Sequence, residues 1–220
     1  MTNKKVSEEK EDYLKVLLNA GGDHQYISNK VIAKKLNVKP PSVTEMMSKL
    51  QKEDLVCYQP YKGYQLTKEG LDYTQVIVKR HRLIESFLIE VLKYSWEEVH
   101  NEAEILEHKV SDLFIDKIDQ LMDYPKYCPH GGLIPRDGIY EETYLDSLLN
   151  FNKGDTVFIK RVEDEPQLLS MLTSRNLCIG TKVSIIKKDE KSCEILIENS
   201  ENGIQLDLAH AQFVYCVSEN

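Results

Sequence analysis

The run His100-Asn101-Glu102-Ala103-Glu104-Ile105-Leu106-Glu107-His108 carries side chains that could share one ion. Val99, Ala103, Leu106 and Val110 recur at helical spacing, so Glu104, Glu107 and His108 stand at i, i+3 and i+4 and converge on one helix face. Oxygen and nitrogen donors suit a hard or borderline divalent ion such as Mn²⁺ or Fe²⁺ better than one that prefers thiolates. Taken alone, three such residues fit a solvated acidic face at least as well. Their company in the chain decides. His81 and Glu85 form a second i, i+4 pair of potential ligands. Cys128 and His130 form a C-x-H pair in the loop Tyr127 to Gly132, where a buried thiol beside a solvated histidine is the plain alternative. Asp12, read by itself, is a first-turn acid favoured by its helix dipole.

These residues need a scaffold, and composition bounds it. The chain has 220 residues, 41% of them hydrophobic and 29% charged, enough for one to three small soluble domains. No apolar run approaches membrane-spanning length, and the opening M-T-N-K-K-V-S-E-E-K-E-D-Y lacks the apolar core of a signal peptide, so a cytoplasmic protein without a membrane partner is expected. Cys57, Cys128, Cys178, Cys193 and Cys216 are odd in number and form no C-x-x-C pair, which argues for free thiols and against a disulfide framework or zinc knuckle. The net charge of −8 would disfavour nucleic acid, but it is unevenly spread. Residues 1–70 hold 12 Lys and Arg against 9 Asp and Glu, whereas residues 71–220 hold 16 against 27. A basic front on an acidic body can meet phosphates at one end only.

The basic front reads as three helices and a hairpin. Tyr13, Leu14, Val16, Leu17 and Leu18 define a helix from Ser7 to Asn19, stopped by Gly21-Gly22. Ser28 opens a second, with Val31, Ile32 and Leu36 as its buried stripe. After the turn Asn37-Val38-Lys39, Pro40-Pro41 starts a third that buries Val43, Met46, Met47 and Leu50. Two short helices joined by a tight turn make a helix-turn-helix. Ser42, Thr44 and Glu45, with Lys49 further along and Lys39 and Pro41 at the start, would face DNA. Leu55 to Tyr58 and Tyr64 to Thr67 flank Gln59-Pro60-Tyr61-Lys62-Gly63, the hairpin of a winged module, with Lys62 at its tip for a phosphate and Tyr61 and Tyr64 packing the wing.

Thr67 caps a long helix from Leu71 to Lys93 with more apolar surface than one small domain needs, which suggests a subunit interface. Ser95-Trp96-Glu97-Glu98 reads as a capping box for the next helix, whose period continues through Val110, Leu113, Phe114, Ile118, Leu121 and Met122 until Pro125. Residues 133–150 read as a linker with a short helix near Tyr144 to Leu149. Strands follow at Thr156 to Val162, Lys182 to Lys187, Cys193 to Glu198, Ile204 to Leu208 and Phe213 to Val217, with a helical turn at Pro166 to Leu172. The predicted fold is mainly α with small β parts: a winged helix-turn-helix at 1–70, a helical domain at 71–145 and a small SH3-like barrel at 151–220.

This order of elements, with Asp12, His81, Glu85, Glu104, Glu107 and His108, resembles the diphtheria-toxin-repressor family of metal-dependent transcription regulators, and within it the manganese-responsive three-domain members. The runs N-E-A-E-I-L-E-H, R-H-R-L-I-E-S-F-L, P-P-S-V-T-E-M and C-P-H-G carry the likeness across the chain. The resemblance implies a primary metal site at Asp12, His81, Glu104, Glu107 and His108, and a second at Glu85, Cys128, His130 and Glu165. Any acid of Glu163-Asp164-Glu165 could fill the last place. His100 matches an ancillary ligand of the iron branch, which also carries methionine and cysteine where this chain has Asp12 and Glu104. Carboxylates there favour Mn²⁺, with Fe²⁺, Zn²⁺ or Cd²⁺ as substitutes. Lys15 stands where two-domain manganese members have a glutamate for a second adjacent ion, so a paired-metal arrangement is not expected. The resemblance further implies a last domain like the small ferrous-transport A proteins, a homodimer, and an inverted-repeat operator in double-stranded DNA. A metal-dependent hydrolase, or a winged regulator of an organic ligand or of oxidation at Cys128, are the alternatives.

Overall fold

A computed structural model of the protein describes residues 7–96, 98–136, 142–190, 192–198 and 202–219. Glu97 of the capping sequence and residues 137–141 of the expected linker lie outside them. The chain forms two compact units that divide between Arg80 and His81.

In the first unit, α1 (Glu8–Asn19), α2 (Asn29–Lys35) and α3 (Pro40–Lys52) precede a hairpin of β1 (Val56–Gln59) and β2 (Gly63–Leu66). Ser28 caps α2 by accepting from the Val31 N–H, and Pro40 starts α3 where its missing N–H does no harm. Leu14, Leu17, Ile32, Val43, Met47 and Leu50 are fully buried and form the core under the hairpin. Ile27 adds a short third strand, exchanging backbone hydrogen bonds with Tyr64 at 2.7 and 2.9 Å. Gly63 makes that approach possible: its φ is +115°, and a Cβ there would lie 2.0 Å from the Ile27 carbonyl oxygen.

Two expectations fail here. Val31 is exposed, and Ala33 takes its place against the core because the stripe of a seven-residue helix runs through Ile32, Ala33 and the half-buried Leu36. Tyr64 is buried against Tyr58, with ring centroids 5.0 Å apart, but Tyr61 does not pack the wing. It sits fully exposed at the turn with φ 65°.

The long helix α4 (Lys68–Glu90) opens with the Thr67 hydroxyl accepting from the Gly70 N–H at 3.0 Å. From His81 onward it belongs to the second unit, with α5 (Val99–Glu107) and α6 (Asp112–Leu121). Ser95 and Glu98 exchange side chain to backbone hydrogen bonds at 3.1 and 3.3 Å, the reciprocal pair of a capping box. The continuous period expected from Val99 to Met122 is interrupted, because Ser111 adopts an extended conformation and caps a new helix by accepting from Phe114 N–H at 3.2 Å. His108 thereby becomes the C-cap of α5. Leu83, Ile84, Leu88, Val99, Ala103, Ile115 and Ile118 pack together, while Val91, Leu92, Ile105, Leu113, Phe114 and Leu121 stay exposed. Among the described residues no helix is long and apolar enough to cross a membrane.

The last part of the second unit is an antiparallel sheet. After a 3₁₀ turn at Leu148–Asn150 come β3 (Thr156–Val162), α7 (Pro166–Ser174), β4 (Lys182–Lys188), β5 (Ser192–Ile197), β6 (Gly203–Asp207), α8 (Leu208–Ala211) and β7 (Val214–Ser218), in strand order β6-β5-β4-β3-β7. Alternate residues Val157, Ile159, Val183, Ile185, Cys193 and Ile195 meet Leu168, Leu169 and Leu172 of α7 in one core. The strand expected to reach Leu208 ends at Asp207, whose carboxylate caps α8 by accepting from His210 N–H at 2.8 Å.

Arg161 on β3 lies over the Tyr215 ring, 3.5 Å from its centroid, and donates to Glu163 at 3.0 Å, while the Tyr215 hydroxyl donates to the same carboxylate at 3.1 Å. Burial, then the Glu163 charge, pushes the Tyr215 hydroxyl up to about 12. A group whose pKa is raised in the folded state contributes stability below its unfolded value and loses it as pH climbs through the folded one. Denaturant unfolding should therefore show stability falling between pH 10 and about 12, and Tyr215→Phe should flatten that part of the fall.

Candidate functional site

His81 occupies the centre of a cluster built wholly within the second unit. Its ring nitrogens face carboxylates on both sides: Nδ1 lies 2.6 Å from Glu107 Oε2 and 3.7 Å from Glu104 Oε1 on α5, and Nε2 lies 3.1 Å from Glu85 Oε1 one turn along α4. Nε2 is also 3.3 Å from Asp164 Oδ2, in the loop after β3. Asp164 in turn lies 2.5 Å from Nδ1 of His100, whose Nε2 is 3.9 Å from Glu104. On the far side of Glu107, its Oε1 is 3.3 Å from His108 Nε2.

Glu85 and Glu107 are each about 1% exposed, so two carboxylates sit inside protein. Burial alone would push the Glu85 carboxyl up, but His81 and His130 beside it hold it well below the usual carboxylate range. Burial likewise pushes His130 down, but the Glu85 charge beside it, with Cys128 and the Asp164 charge, raises it well above the ordinary histidine range. Such mutual dependence is that of a buried carboxylate and the imidazoles packed against it.

Among the described residues three sets have the spacing of a metal site, two of them sharing Glu85. His81, Glu85, His100 and Asp164 offer ligand atoms within 4.8 Å of one another, as do Glu85, Cys128 and His130, and as do Glu104, Glu107 and His108. His130 gives a test of fit: both ring nitrogens are buried without a hydrogen-bond partner, although Nδ1 lies 3.3 Å from Glu85 Oε1. A buried imidazole without hydrogen bonds beside a thiol and a carboxylate fits a divalent cation as its partner. The mix of carboxylate, imidazole and one thiol fits a divalent ion between hard and borderline.

The structure thus gathers His81, Glu85, Glu104, Glu107, His108, Cys128 and His130 in one unit. Glu165 is not among them. Its carboxylate caps α7, accepting from Leu168 N–H at 2.7 Å, and Asp164, one residue earlier, turns toward His81 and His100. A cap signal followed by Pro166 at the first helical position marks Glu165 for this job, so the sequence held the clue. His100 also comes in, at i, i+4 from Glu104 on α5.

In the first unit, Lys39, Pro41, Ser42, Thr44, Glu45 and Lys49 are exposed on α3, and Lys62 on the wing. The Thr44 hydroxyl is engaged within the unit, donating to Pro40 O at 3.2 Å and accepting from Asn29 at 2.7 Å, so it offers chiefly a methyl group outward. Lys49 pairs with Glu45 at 2.8 Å, which lowers the Glu45 carboxyl. Between α3 and the wing lies a cleft of about 240 Å³ lined by Ser28, Asn29, Thr44, Tyr58, Tyr61 and Lys62.

Comparison with known proteins follows this division. Residues 5–64 match the iron dependent repressor N-terminal DNA binding domain, residues 67–136 the iron dependent repressor metal binding and dimerisation domain, and residues 147–217 the FeoA domain. The structure of the manganese regulator SloR is 38% identical, covering 96% of this chain and 98% of that one with a TM-score of 0.84. The chain belongs to the iron-dependent, or diphtheria-toxin, repressor family. ScaR with bound Zn²⁺ is 40% identical over 94% of this repressor and 98% of that chain, with a TM-score of 0.85. The transcriptional regulator MntR of Oceanobacillus iheyensis is 36% identical over 116 residues, 53% of this chain and 78% of that protein. Iron-dependent repressors are metal-dependent transcriptional regulators.

Asp164→Ala and Glu165→Ala should separate the two acids. Equilibrium dialysis with Mn²⁺ should show the first weakening uptake at least about 10-fold. The second should leave uptake intact and lower unfolding stability by about 1 kcal/mol through loss of the α7 cap.

Proposed function

We propose that the chain is a homodimeric, manganese-activated repressor that works in the cytoplasm and binds an inverted-repeat operator upstream of metal-uptake genes. The observation that carries this reading is the junction at His81, where carboxylates from α4, α5 and the loop after β3 face one imidazole. Asp12 on α1 is proposed as the ligand that the DNA-reading unit contributes to Glu104, Glu107 and His108. SloR is a manganese regulator and ScaR a manganese-activated repressor, which together with this carboxylate-rich donor set supports Mn²⁺, and the Zn²⁺ and Cd²⁺ forms of ScaR support those ions as substitutes.

A divalent cation, when bound, supplies the positive charge that lets Asp12, Glu104 and Glu107 share one space. Without it the three carboxylates repel, and desolvating them together is costly. Asp12 would then stand off and leave the winged unit unfixed. Once Asp12 is held, two winged units of a dimer can present their α3 helices about 34 Å apart, one turn of B-DNA. The exposed Val91, Leu92, Leu113, Phe114 and Leu121 supply the apolar surface that dimerisation would cover.

A gel-shift titration with Mn²⁺ on an operator selected from random DNA tests the switch. The full chain should bind tightly only with metal, and Asp12→Ala should need far more Mn²⁺ or lose the dependence altogether; full metal-dependent binding by this variant refutes the role of Asp12. On the same operator, Lys62→Ala should weaken binding to all sequences alike and reduce the salt slope by about 1, as loss of one phosphate contact does. Ser42→Ala should instead relax preference at one base pair, by about 1–3 kcal/mol.

A further inference from the structure

The chain's one tryptophan lies against a candidate ligand. Trp96, in the turn before α5, stacks on the His130 imidazole with ring centroids 5.4 Å apart and planes inclined by 13°. A metal-bound histidine is usually oriented by a hydrogen bond from its other ring nitrogen to a carboxylate, carbonyl or water. His130 has no hydrogen bond at either ring nitrogen. Something else must set the plane of its ring, and the indole is what covers it.

The rest of His130 is fixed from the opposite direction. Its carbonyl accepts from Val162 N–H of β3 at 2.9 Å, and the next residue, Gly131, presses so closely on that strand that a Cβ would lie 1.9 Å from Lys160 O. Gly131 adopts φ +82°, where a side chain is strained in any case. Within the loop, Cys128 N–H donates to Gly132 O at 2.9 Å and Gly131 N–H to Cys128 O at 2.8 Å, which ties the thiol-bearing residue to the same clamp. Trp96 itself is held: it packs against the core of the β-sheet part, and its turn is closed by the reciprocal Ser95 and Glu98 hydrogen bonds.

We infer that Trp96 is a positioning residue for metal at Glu85, Cys128 and His130, its flat face doing for His130 what an outer hydrogen bond does elsewhere. Rotation of the imidazole out of this plane would drive a ring edge into the indole, so the stack keeps Nδ1 directed at Glu85 and beside Cys128. The inference rests on the metal-dependent reading above and extends it to a residue with no donor atom for the ion. Because Trp96 and β3 grip His130 together, occupancy of this set and docking of the sheet on the helices should reinforce each other.

The test is a Co²⁺ titration of the full chain, following thiolate-to-Co²⁺ charge-transfer absorption as the signature of Cys128 coordination. Trp96→Phe, which preserves a flat ring, should keep the wild-type midpoint within a few-fold. Trp96→Leu should shift it by about 10- to 100-fold toward weaker binding, the loss seen when an orienting partner of a metal-bound histidine is removed. Equal midpoints for Trp96→Leu and wild type, or equal losses in both variants, overturn the positioning role. Should Trp96→Leu fail to fold, the wild-type chain decides: emission from its single tryptophan should be quenched in step with the charge-transfer band, and a band that fills with emission unchanged overturns the inference. A wild-type chain that gives no thiolate band at all sinks the metal assignment for this set and the inference with it, which keeps the two failures apart.

Discussion

Everything in the second unit is arranged around one electrostatic problem, the burial of Glu85 and Glu107 beside a single imidazole. An isolated carboxylate in such a place would take up a proton rather than stay ionised. Here three helical turns supply compensation at fixed offsets: His81 and Glu85 lie one turn apart on α4, and Glu104, Glu107 and His108 follow helical spacing on α5. The junction sets four acids (Glu85, Glu104, Glu107 and Asp164) among the imidazoles of His81, His100, His108 and His130, so its negative charge is concentrated in one place. A divalent ion there would supply the balancing positive charge and take the rings as ligands.

The sheet is not an appendage to this arrangement. Asp164 reaches the His81 and His100 pair only because β3 ends at Val162 and the chain turns before Glu165 caps α7. The same strand holds the backbone of His130. Two candidate metal sets therefore depend on where one strand stops. Lengthening β3 by two residues would carry Asp164 past the junction, since each residue advances a strand by about 3.3 Å.

How much of this the sequence disclosed depended on whether a signal was local. Helical offsets announced Glu104, Glu107, His108 and the His81 and Glu85 pair, and the β3 strand was read with its observed ends, because period and spacing are properties of contiguous residues. Asp164 could not be singled out from Glu163-Asp164-Glu165 by spacing, since its partners lie 64 and 83 residues away. What distinguishes it is elimination in three dimensions: Glu163 is taken by Arg161 and Tyr215, and Glu165 by the α7 N-terminus. The break between α5 and α6 was missed although Ser111 carried a cap signal, because apolar periodicity ran across it undisturbed. Tyr61 misled for a related reason. Aromatic residues in a wing usually pack, but a left-handed turn position points this one into solvent.

A ligand can shift a conformational equilibrium only by its difference in affinity for the two states. Glu85, Cys128, His130, His81, His100 and Asp164 all belong to one compact unit and stand within bonding range of their partners already. An ion bound by these residues alone would gain affinity from preorganisation but would change little in the part of the chain that reads DNA. Switching requires a ligand that arrives from outside that unit. This is why the proposed role of Asp12, on the first helix of the basic unit, matters more to regulation than its single carboxylate would suggest: in this reading the sets within one unit would supply affinity, and the one ligand from the basic unit would convert it into control. Reciprocity then demands that operator DNA, by holding the winged unit in the bound arrangement, raise metal affinity by the same factor that metal raises affinity for DNA, typically about 1–3 kcal/mol.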